Sequence, residues 1–217
     1  MKILAIDTSA TVASAALCED DEPIAVYSQK SGLTHSQTML PMIRDLMRNA
    51  GAAIDDIDMM AVSAGPGSFT GVRIGISTIK GLAFGKNKIC VGVSTLEAMA
   101  WNIASFCTDA LVCPVMDARR GQLYAAIFKP YNEKLIRLTP DSLISAEELS
   151  EKLDTYDKPV YFIGDGYGKI EALSLPFMME TPKHTRWQNG YGVAMAALES
   201  YRLTCLLYTS DAADDKA

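Results

Sequence analysis

The feature that most constrains the fold of this 217-residue chain is an internal duplication. One short apolar run ends on Asp7, and a second ends on Asp117. In both halves an Ala-Ala-apolar segment begins eight residues after the acid, at Ala15 and at Ala125. A helix and a further apolar strand that runs into a glycine turn follow in each half. Two copies of such a unit, about 100–110 residues apart, predict two duplicated α/β lobes around a cleft.

The element order of the first half is predicted as β-β-β-α-β-α-β-α. The predicted strands are 2–7, 11–17, 23–29, 58–64 and 88–93, and the predicted helices are 36–50, 72–84 and one that begins after Ser94. Ser94 and Ser145 are each followed three positions later by glutamate, which is the capping-box pattern. We expect one lobe over 1–104 and another over 105–203, each a mixed sheet flanked by helices, with a last helix that can pack back on the first lobe.

The C-terminal residues do not resemble natural coding sequence. Residues 205–215 read as the translation of a common sequencing-library adapter. We therefore interpret 204–217 as an artefact, leave it out of the fold argument, and expect a natural chain that continued past this point.

Composition excludes several classes of protein. Hydrophobic residues make up 49% of the chain and charged residues 21%, as in globular proteins. No apolar run approaches the ~20 residues that cross a bilayer. The N-terminal run also meets Asp7 too soon for a secretion signal, so we expect a cytoplasmic protein without a membrane role. A net charge of −6 gives no general attraction to nucleic acid, so contact with RNA should be local or pass through a partner.

Cysteine and histidine are too dispersed to predict a metal site. The five cysteines contain no Cys-x-x-Cys pair and are read as reduced core thiols. Neither His35 nor His184 has a second histidine at a helical i, i+4 offset. We therefore expect no bound metal and no cofactor, and we interpret His35 as a residue at the start of a helix.

The strongest local motif is the glycine-rich loop 65–71, Gly-Pro-Gly-Ser-Phe-Thr-Gly, which leads into a predicted helix. Free N–H groups and the helix dipole attract anions at such a point. The loop lacks the Lys-Ser/Thr ending of a Walker P-loop. Its glycines permit close backbone approach, which either a phosphate or the backbone of a partner could make.

The end of the first strand offers the matching acid. The Asp7 carboxylate could hold hydrated magnesium, and the hydroxyls after it could reach phosphate. The alternative is that Asp7 only ends a strand and caps a turn. The candidate phosphate-facing residues, as a remnant of a nucleotide site, are Asp7, Thr8, Ser9, Gly65, Gly67, Ser68 and Thr70.

Two predicted helices carry features of a contact surface. Helix 36–50 has apolar side chains outside its main stripe, among them Leu40, Met42 and Met47, and methionine suits a surface that repacks. Helix 72–84 contains or adjoins four glycines, and each glycine inside a helix costs ~1 kcal/mol relative to alanine, which indicates a closely packed second helix. The alternative is burial between the lobe's own elements. The interface candidates are Met39, Ile43, Leu46, Met47, Gly71, Gly75 and Thr78.

Other polar residues have less specific interpretations. Arg73, near a helix start, is placed against the dipole and is predicted to pair with a carboxylate or an anion. Arg119 and Arg120 could contact RNA phosphate, but two adjacent arginines in an acidic protein are more often a solvated turn. Asp165, between two glycines, is read as a turn residue.

Several segments together resemble a known family. The duplicated unit with an acid at the end of its first strand resembles the actin-like ATPase superfamily, whose lobes are ribonuclease H-like. Within it, four segments over roughly 1–203 resemble the TsaB (YeaZ) family: ILAIDTS at 3–9, GPGSFTGVRIG at 65–75, STLEAMA at 94–100 and MDARRGQLY at 116–124. The Pro-x-Tyr-x-Arg segment near the end of that family is absent here.

The resemblance implies a non-catalytic subunit that docks on its paralogue TsaD through first-lobe helices, with TsaE as a further partner. It implies that tRNA is met only through the complex, which threonylcarbamoylates adenosine 37 of tRNAs reading ANN codons. A homodimer of the isolated chain is also expected. The alternative function is an ATP-dependent small-molecule kinase of the same superfamily, which needs a second acid near Asp7 or Thr70. A metallopeptidase is disfavoured because paired histidines are missing.

Overall fold

The computed structural model describes residues 1–107 and 109–214, with side chains to Thr204. The first-half strands are β1 (Lys2–Asp7), β2 (Ala13–Glu19), β3 (Glu22–Gln29), β4 (Met59–Ser63) and β5 (Ile89–Val93). The second-half strands are β6 (Leu111–Asp117), β7 (Gln122–Ala125), β8 (Phe128–Tyr131), β9 (Lys134–Arg137), β10 (Ser142–Ser145), β11 (Val160–Ile163) and β12 (Met178–Met179). The α-helices are α1 (His35–Asn49), α2 (Phe69–Ala83), α3 (Thr95–Trp101), α4 (Ala146–Asp154), α5 (Tyr167–Glu171) and α6 (Gly190–Asp214).

The two sheets repeat one topology. The first has the order β3-β2-β1-β4-β5, with β2 and β3 antiparallel and β4 and β5 parallel to β1. The second has the order β10-β7-β6-β11-β12, with the same directions about β6. The β8–β9 hairpin is added beside β6. The predicted fold class, two duplicated α/β lobes, is confirmed, and Asp7 and Asp117 end the equivalent central strands.

The central strand β1 is apolar from Ile3 to Ile6 because both faces of its sheet are covered. Leu4 and Ile6 pack in a cluster with α1 and α2 on one face. Ile3 and Ala5 pack on the other face in a cluster with α6. All four side chains are fully buried. This two-sided cover holds the carboxyl end of β1, where Asp7 lies, in a fixed position.

The last helix, α6, follows the second lobe in sequence but packs on the first sheet, against β1 and β2. Its first turn approaches α3 closely, because a Cβ on Gly192 would lie 2.0 Å from the carbonyl oxygen of Ala98. Gly190 donates its N–H to the Ser14 hydroxyl on β2. A close glycine-mediated contact between helices thus occurs at α6 and α3, whereas the sequence predicted such a contact for the glycines of α2.

Several boundaries differ from the sequence prediction for identifiable reasons. Helix α2 begins at Phe69, three residues early, because the Ser68 hydroxyl caps it by accepting the N–H of Gly71. The capping box at Ser145 and Glu148 is complete. At Ser94 only half of it forms, since the Glu97 carboxylate bonds to Arg137 instead.

Over residues 1–107 and 109–214, no helix has the length and apolarity to cross a membrane.

Candidate functional site

The candidate phosphate-facing residues converge where the parallel strands β1 and β4 end. Asp7, only 1% exposed, accepts bonds on one carboxylate oxygen from the Ser9 N–H (2.8 Å) and hydroxyl (2.7 Å). Its other carboxylate oxygen accepts a short bond from the Ser63 hydroxyl of β4. Burial raises the pKa of Asp7, opposed by the bonds from Ser63 and Ser9. Both carboxylate oxygens are thus engaged by neighbouring side chains of the same lobe.

The next residue, Thr8, fits into the glycines of α2. Its side chain is fully buried, and its hydroxyl donates to the Gly71 carbonyl oxygen at 2.8 Å. A Cβ on Gly71 would lie 2.1 Å from the Thr8 carbonyl oxygen, and a Cβ on Gly75 would lie 2.5 Å from the Thr8 hydroxyl oxygen. These two glycines therefore let α2 rest directly on the end of β1.

The glycine-rich loop closes over the same hairpin. The Ser68 N–H donates to the Ser9 carbonyl oxygen at 2.6 Å. A Cβ on Gly67 would lie 2.5 Å from that carbonyl oxygen. The Gly65 carbonyl oxygen accepts the Thr95 N–H at 2.8 Å, which joins the loop to α3. The Ser9 carbonyl oxygen thus takes up the backbone N–H of Ser68, the residue that caps this helix N-terminus.

An apolar groove of about 390 Å³ opens beside this closed hairpin, between α1 and α2. Leu40, 52% exposed, and Phe69, 72% exposed, are its most accessible apolar side chains. The Arg73 guanidinium lies 4.4 Å from the Phe69 ring centroid, a cation–π contact. The groove is lined by His35, Ser36, Met39, Leu40, Phe69, Thr70, Arg73, Ile74, Ser77 and Thr78. Hereafter "the groove" means this set.

Most of the predicted interface residues lie inside the lobe. Ile43, Leu46 and Met47 are at most 5% exposed and pack on the first sheet, and the off-stripe Met42 is buried with them. Gly71 and Gly75 contact Thr8, as described above. The wide apolar arc of α1 is explained by its packing against β2, β3 and α2 at once. Only Met39 and Thr78 of the predicted set also line the groove.

The interface candidates named from the sequence omit both exposed groove residues, Leu40 and Phe69, although Leu40 is among the off-stripe apolar side chains of its helix. Leu40 was recognisable as apolar and outside the buried stripe of its helix. Phe69 is a large aromatic residue in a loop of small residues, and this contrast marks it. Thr70, one of the candidate phosphate-facing residues, also lines the groove.

The equivalent position in the second lobe is also engaged within the chain. The Lys169 ammonium bonds the Asp117 carboxylate at 2.7 Å, which lowers the pKa of Asp117. The Asp165 carboxylate accepts the Asp117 N–H at 3.0 Å, and burial raises its pKa. Arg119 and Arg120 form the β6–β7 turn, both with positive φ, as the turn interpretation predicts.

The His, Cys, Asp and Glu side chains in the described part of the chain are the groups whose positions could form a metal-binding arrangement. Within the described residues, no group of three or more His, Cys, Asp and Glu side chains is placed to hold a metal ion. His35 begins α1, where its Nε2 lies 2.6 Å from the Ala10 carbonyl oxygen, so it connects the helix to the β1–β2 hairpin.

The chain is similar in sequence to known proteins. Residues 25–190 match the family model described as TsaD, tRNA N6-adenosine threonylcarbamoyltransferase. The chain is 38% identical over 164 residues to the tRNA threonylcarbamoyladenosine biosynthesis protein TsaB of Bacillus subtilis, covering 76% of this chain and 71% of that one. It is 40% identical to the Escherichia coli protein of the same name, over 59% of this chain and about half (55%) of that one.

The fold is also similar to those of solved structures. YeaZ from Pseudomonas aeruginosa superposes with a TM-score of 0.76 at 26% identity, covering 93% of this chain and 92% of that one. The (R)-2-hydroxyglutaryl-CoA dehydratase component A of Acidaminococcus fermentans has a TM-score of 0.54 at 12% identity, over 94% of this chain and 99% of that one, which shows the fold alone.

Proposed function

The chain belongs to the TsaB (YeaZ) family, and from this premise we propose that it is a non-catalytic subunit in tRNA threonylcarbamoyladenosine biosynthesis. It docks on TsaD, stabilises the active form of that enzyme, and takes TsaE as a further partner. It meets tRNA, at adenosine 37 of tRNAs reading ANN codons, only through the complex. We propose that the protein acts in the cytoplasm, where the unpaired cysteines Cys18, Cys107 and Cys113 stay reduced.

One observation carries the non-catalytic part of the proposal. The Asp7 carboxylate is bonded to Ser9 and Ser63, and the loop donor Ser68 N–H is bonded to the Ser9 carbonyl oxygen. A kinase of this superfamily would need these groups free for magnesium and phosphate. The alternative kinase function would therefore require the hairpin and the loop to separate.

The docking part rests on the groove. Its exposed anchors, Leu40 and Phe69, lie on two adjacent helices and offer apolar area to a partner helix. The same surface would serve a homodimer of the isolated chain, so TsaD and a second copy would compete for it.

Leu40 provides the test, because Leu143 on β10 of the second lobe is a matched control with the same 52% exposure. We expect Leu40→Ser to weaken TsaD binding about thirtyfold, the loss for an anchor worth ~2 kcal/mol. Leu143→Ser should bind as wild type does. Binding would be measured by calorimetry, with circular dichroism as the folding control. Equal affinities for both variants would disprove docking at the groove.

Catalysis is tested separately. The purified chain should hydrolyse no ATP above background, and Asp7→Ala should change nothing in that assay. Hydrolysis that disappears in Asp7→Ala would instead establish the kinase alternative.

A further inference from the structure

A charged cluster joins α3 to the segment between β9 and β10 of the second lobe. The Arg137 guanidinium bonds the Glu97 carboxylate at 2.8 Å and the Asp141 carboxylate at 2.5 Å. The other Asp141 oxygen accepts the Ser94 hydroxyl at 2.7 Å. We call Arg137, Glu97, Asp141 and Ser94 the Arg137 clamp. One cation thus connects the first turn of α3 with the second lobe.

The clamp is more than a solvated surface pair. Its three charged side chains are 29–31% exposed, and the guanidinium also packs over the buried Phe128 ring, 4.7 Å from its centroid. Partial burial and bonding to two carboxylates at once strengthen such a network beyond an isolated exposed pair. Removing the guanidinium would leave two neighbouring carboxylates without the cation between them, and these would repel each other.

The first turn of α3 also holds the glycine-rich loop. The Ser94 hydroxyl caps α3 while it donates to Asp141, and the next residue, Thr95, donates its N–H to the Gly65 carbonyl oxygen. The loop then continues to Phe69 and Thr70, which line the groove. Hydrogen bonds, joined by short backbone segments at 94–95 and 65–69, therefore connect the second lobe to one wall of the groove.

We propose that Arg137 is a positioning residue that holds the second lobe against α3 and so fixes the glycine-rich loop and the groove wall in the geometry that a partner binds. The expected effect on partner binding rests on the proposed docking at the groove. The expected effect on the distance between the lobes is independent of that proposal.

Arg137→Met tests the proposal, with Lys134→Met as the matched control, because it removes one positive charge from an exposed position of the same strand. Spin labels on the exposed Cys90 of the first lobe and on a cysteine introduced by Glu151→Cys on α4 report the distance between lobes. Cys205→Ser in every variant removes the thiol of the C-terminal segment, and the buried cysteines stay unlabelled. TsaD affinity is measured on the same set without labels.

We expect Arg137→Met to broaden the distance distribution and to weaken TsaD binding about fivefold or more, the low end of typical coupling between sites. Lys134→Met should leave both readouts unchanged. Adding Glu97→Gln to Arg137→Met should recover part of the wild-type distribution, because one of the two repelling carboxylates is then neutral. A merely structural arginine would give no such recovery. At about 1 M salt the Debye length falls to ~3 Å and the ion pairs of the clamp weaken. The distance distribution of the wild type should then become more like that of Arg137→Met.

Unchanged distances in Arg137→Met, or no recovery on adding Glu97→Gln, would overturn the proposal even if affinity fell. Changed distances with unchanged TsaD affinity would overturn its link to the groove. If the wild type itself fails to bind TsaD, the proposed function fails, while the spin-label distances still judge the clamp. Thermal melts of every variant serve as the folding control. If Arg137→Met does not fold, Arg137→Lys replaces it, because lysine keeps the charge but cannot bond two carboxylates in the geometry of a guanidinium.

Discussion

At the scale of single residues, the end of β1 is organised around satisfied polar groups. Asp7 lies 1% exposed in a site where a free carboxylate would be costly, and it is tolerated because Ser9 and Ser63 donate to it. Thr8 fills the space that Gly71 and Gly75 leave on α2. In an open site these residues could hold a ligand. In this structure Asp7 and Thr8 instead connect β1 to β4 and to α2.

Asp7→Asn should reveal the cost of this buried charge. Burial raises the Asp7 pKa, so the folded state binds this proton more tightly than the unfolded state does. That contribution to stability is present below the ordinary carboxyl pKa, ~3.9, and is lost as pH rises through the folded-state pKa. The free energy of unfolding of the wild type should therefore fall relative to Asp7→Asn as pH rises from about 4. Urea unfolding over a pH series measures this, and a difference that does not change with pH would contradict it.

A pair of glycines on α2 tests the packing against Thr8. Gly71→Ala should destabilise the fold by about 1–3 kcal/mol or more, because the new Cβ meets the Thr8 carbonyl oxygen, a rigid backbone atom. Gly81→Ala, on the same helix with no atom near its Cβ, should instead stabilise it by about 0.5–1 kcal/mol. Chemical denaturation measures both. Similar effects at the two positions would show that the contact with Thr8 is unimportant.

At the scale of elements, side chains at the helix ends determine how each helix is attached. Ser145 and Glu148 satisfy each other's backbone N–H groups at the start of α4, so that cap is local. Ser94 caps α3 and also bonds Asp141, so this cap extends to another element. Helix α1, in contrast, has no side-chain cap and is attached through its apolar face and through His35.

Replacing the two capping serines should separate local from tertiary capping. Ser145→Ala should lower the free energy of unfolding by about 1 kcal/mol, the usual value of an N-cap. Ser94→Ala should cost more, because it loses the cap and the bond to Asp141 together. Urea unfolding of both variants gives the comparison. A smaller loss for Ser94→Ala than for Ser145→Ala would contradict the tertiary role of its hydroxyl.

At the scale of the whole molecule, the two lobes are not independent along the chain. The first sheet is completed on one face by α6, which comes after the entire second lobe. Helix α3 contacts both lobes, since Ala98 packs in the first-lobe cluster and Leu96 and Met99 pack with Val112 and Phe128 of the second. The lobe boundary predicted near residue 104 therefore does not coincide with a boundary in the hydrophobic core.

A fragment of residues 1–104 should fail to form a fixed core, because the face that carries Ile3, Ala5 and Met59 loses its cover. We expect helical and strand signals in far-ultraviolet circular dichroism without near-ultraviolet signal or a cooperative melt. Joining residues 190–204 to the fragment through a flexible linker before Met1 should restore both. A cooperative melt for the fragment alone would show that α6 is dispensable for the first lobe.

The sequence alone was sufficient to predict the element order of the first half, the duplication, the caps at Ser94 and Ser145, and the family. These follow from local patterns, because periodicity and caps depend on residues within a few positions of each other. Only the tertiary structure decided which surfaces are free. The apolar stripe through Ile43 and Leu46 indicated that this face of α1 is buried, but not whether the same chain or a partner covers it. The glycines of α2 indicated that other atoms approach this helix closely, but not which atoms. The answers, the lobe's own sheet and Thr8, depend on contacts between residues that are distant in sequence, 63 positions in the case of Thr8 and Gly71, which no local pattern encodes.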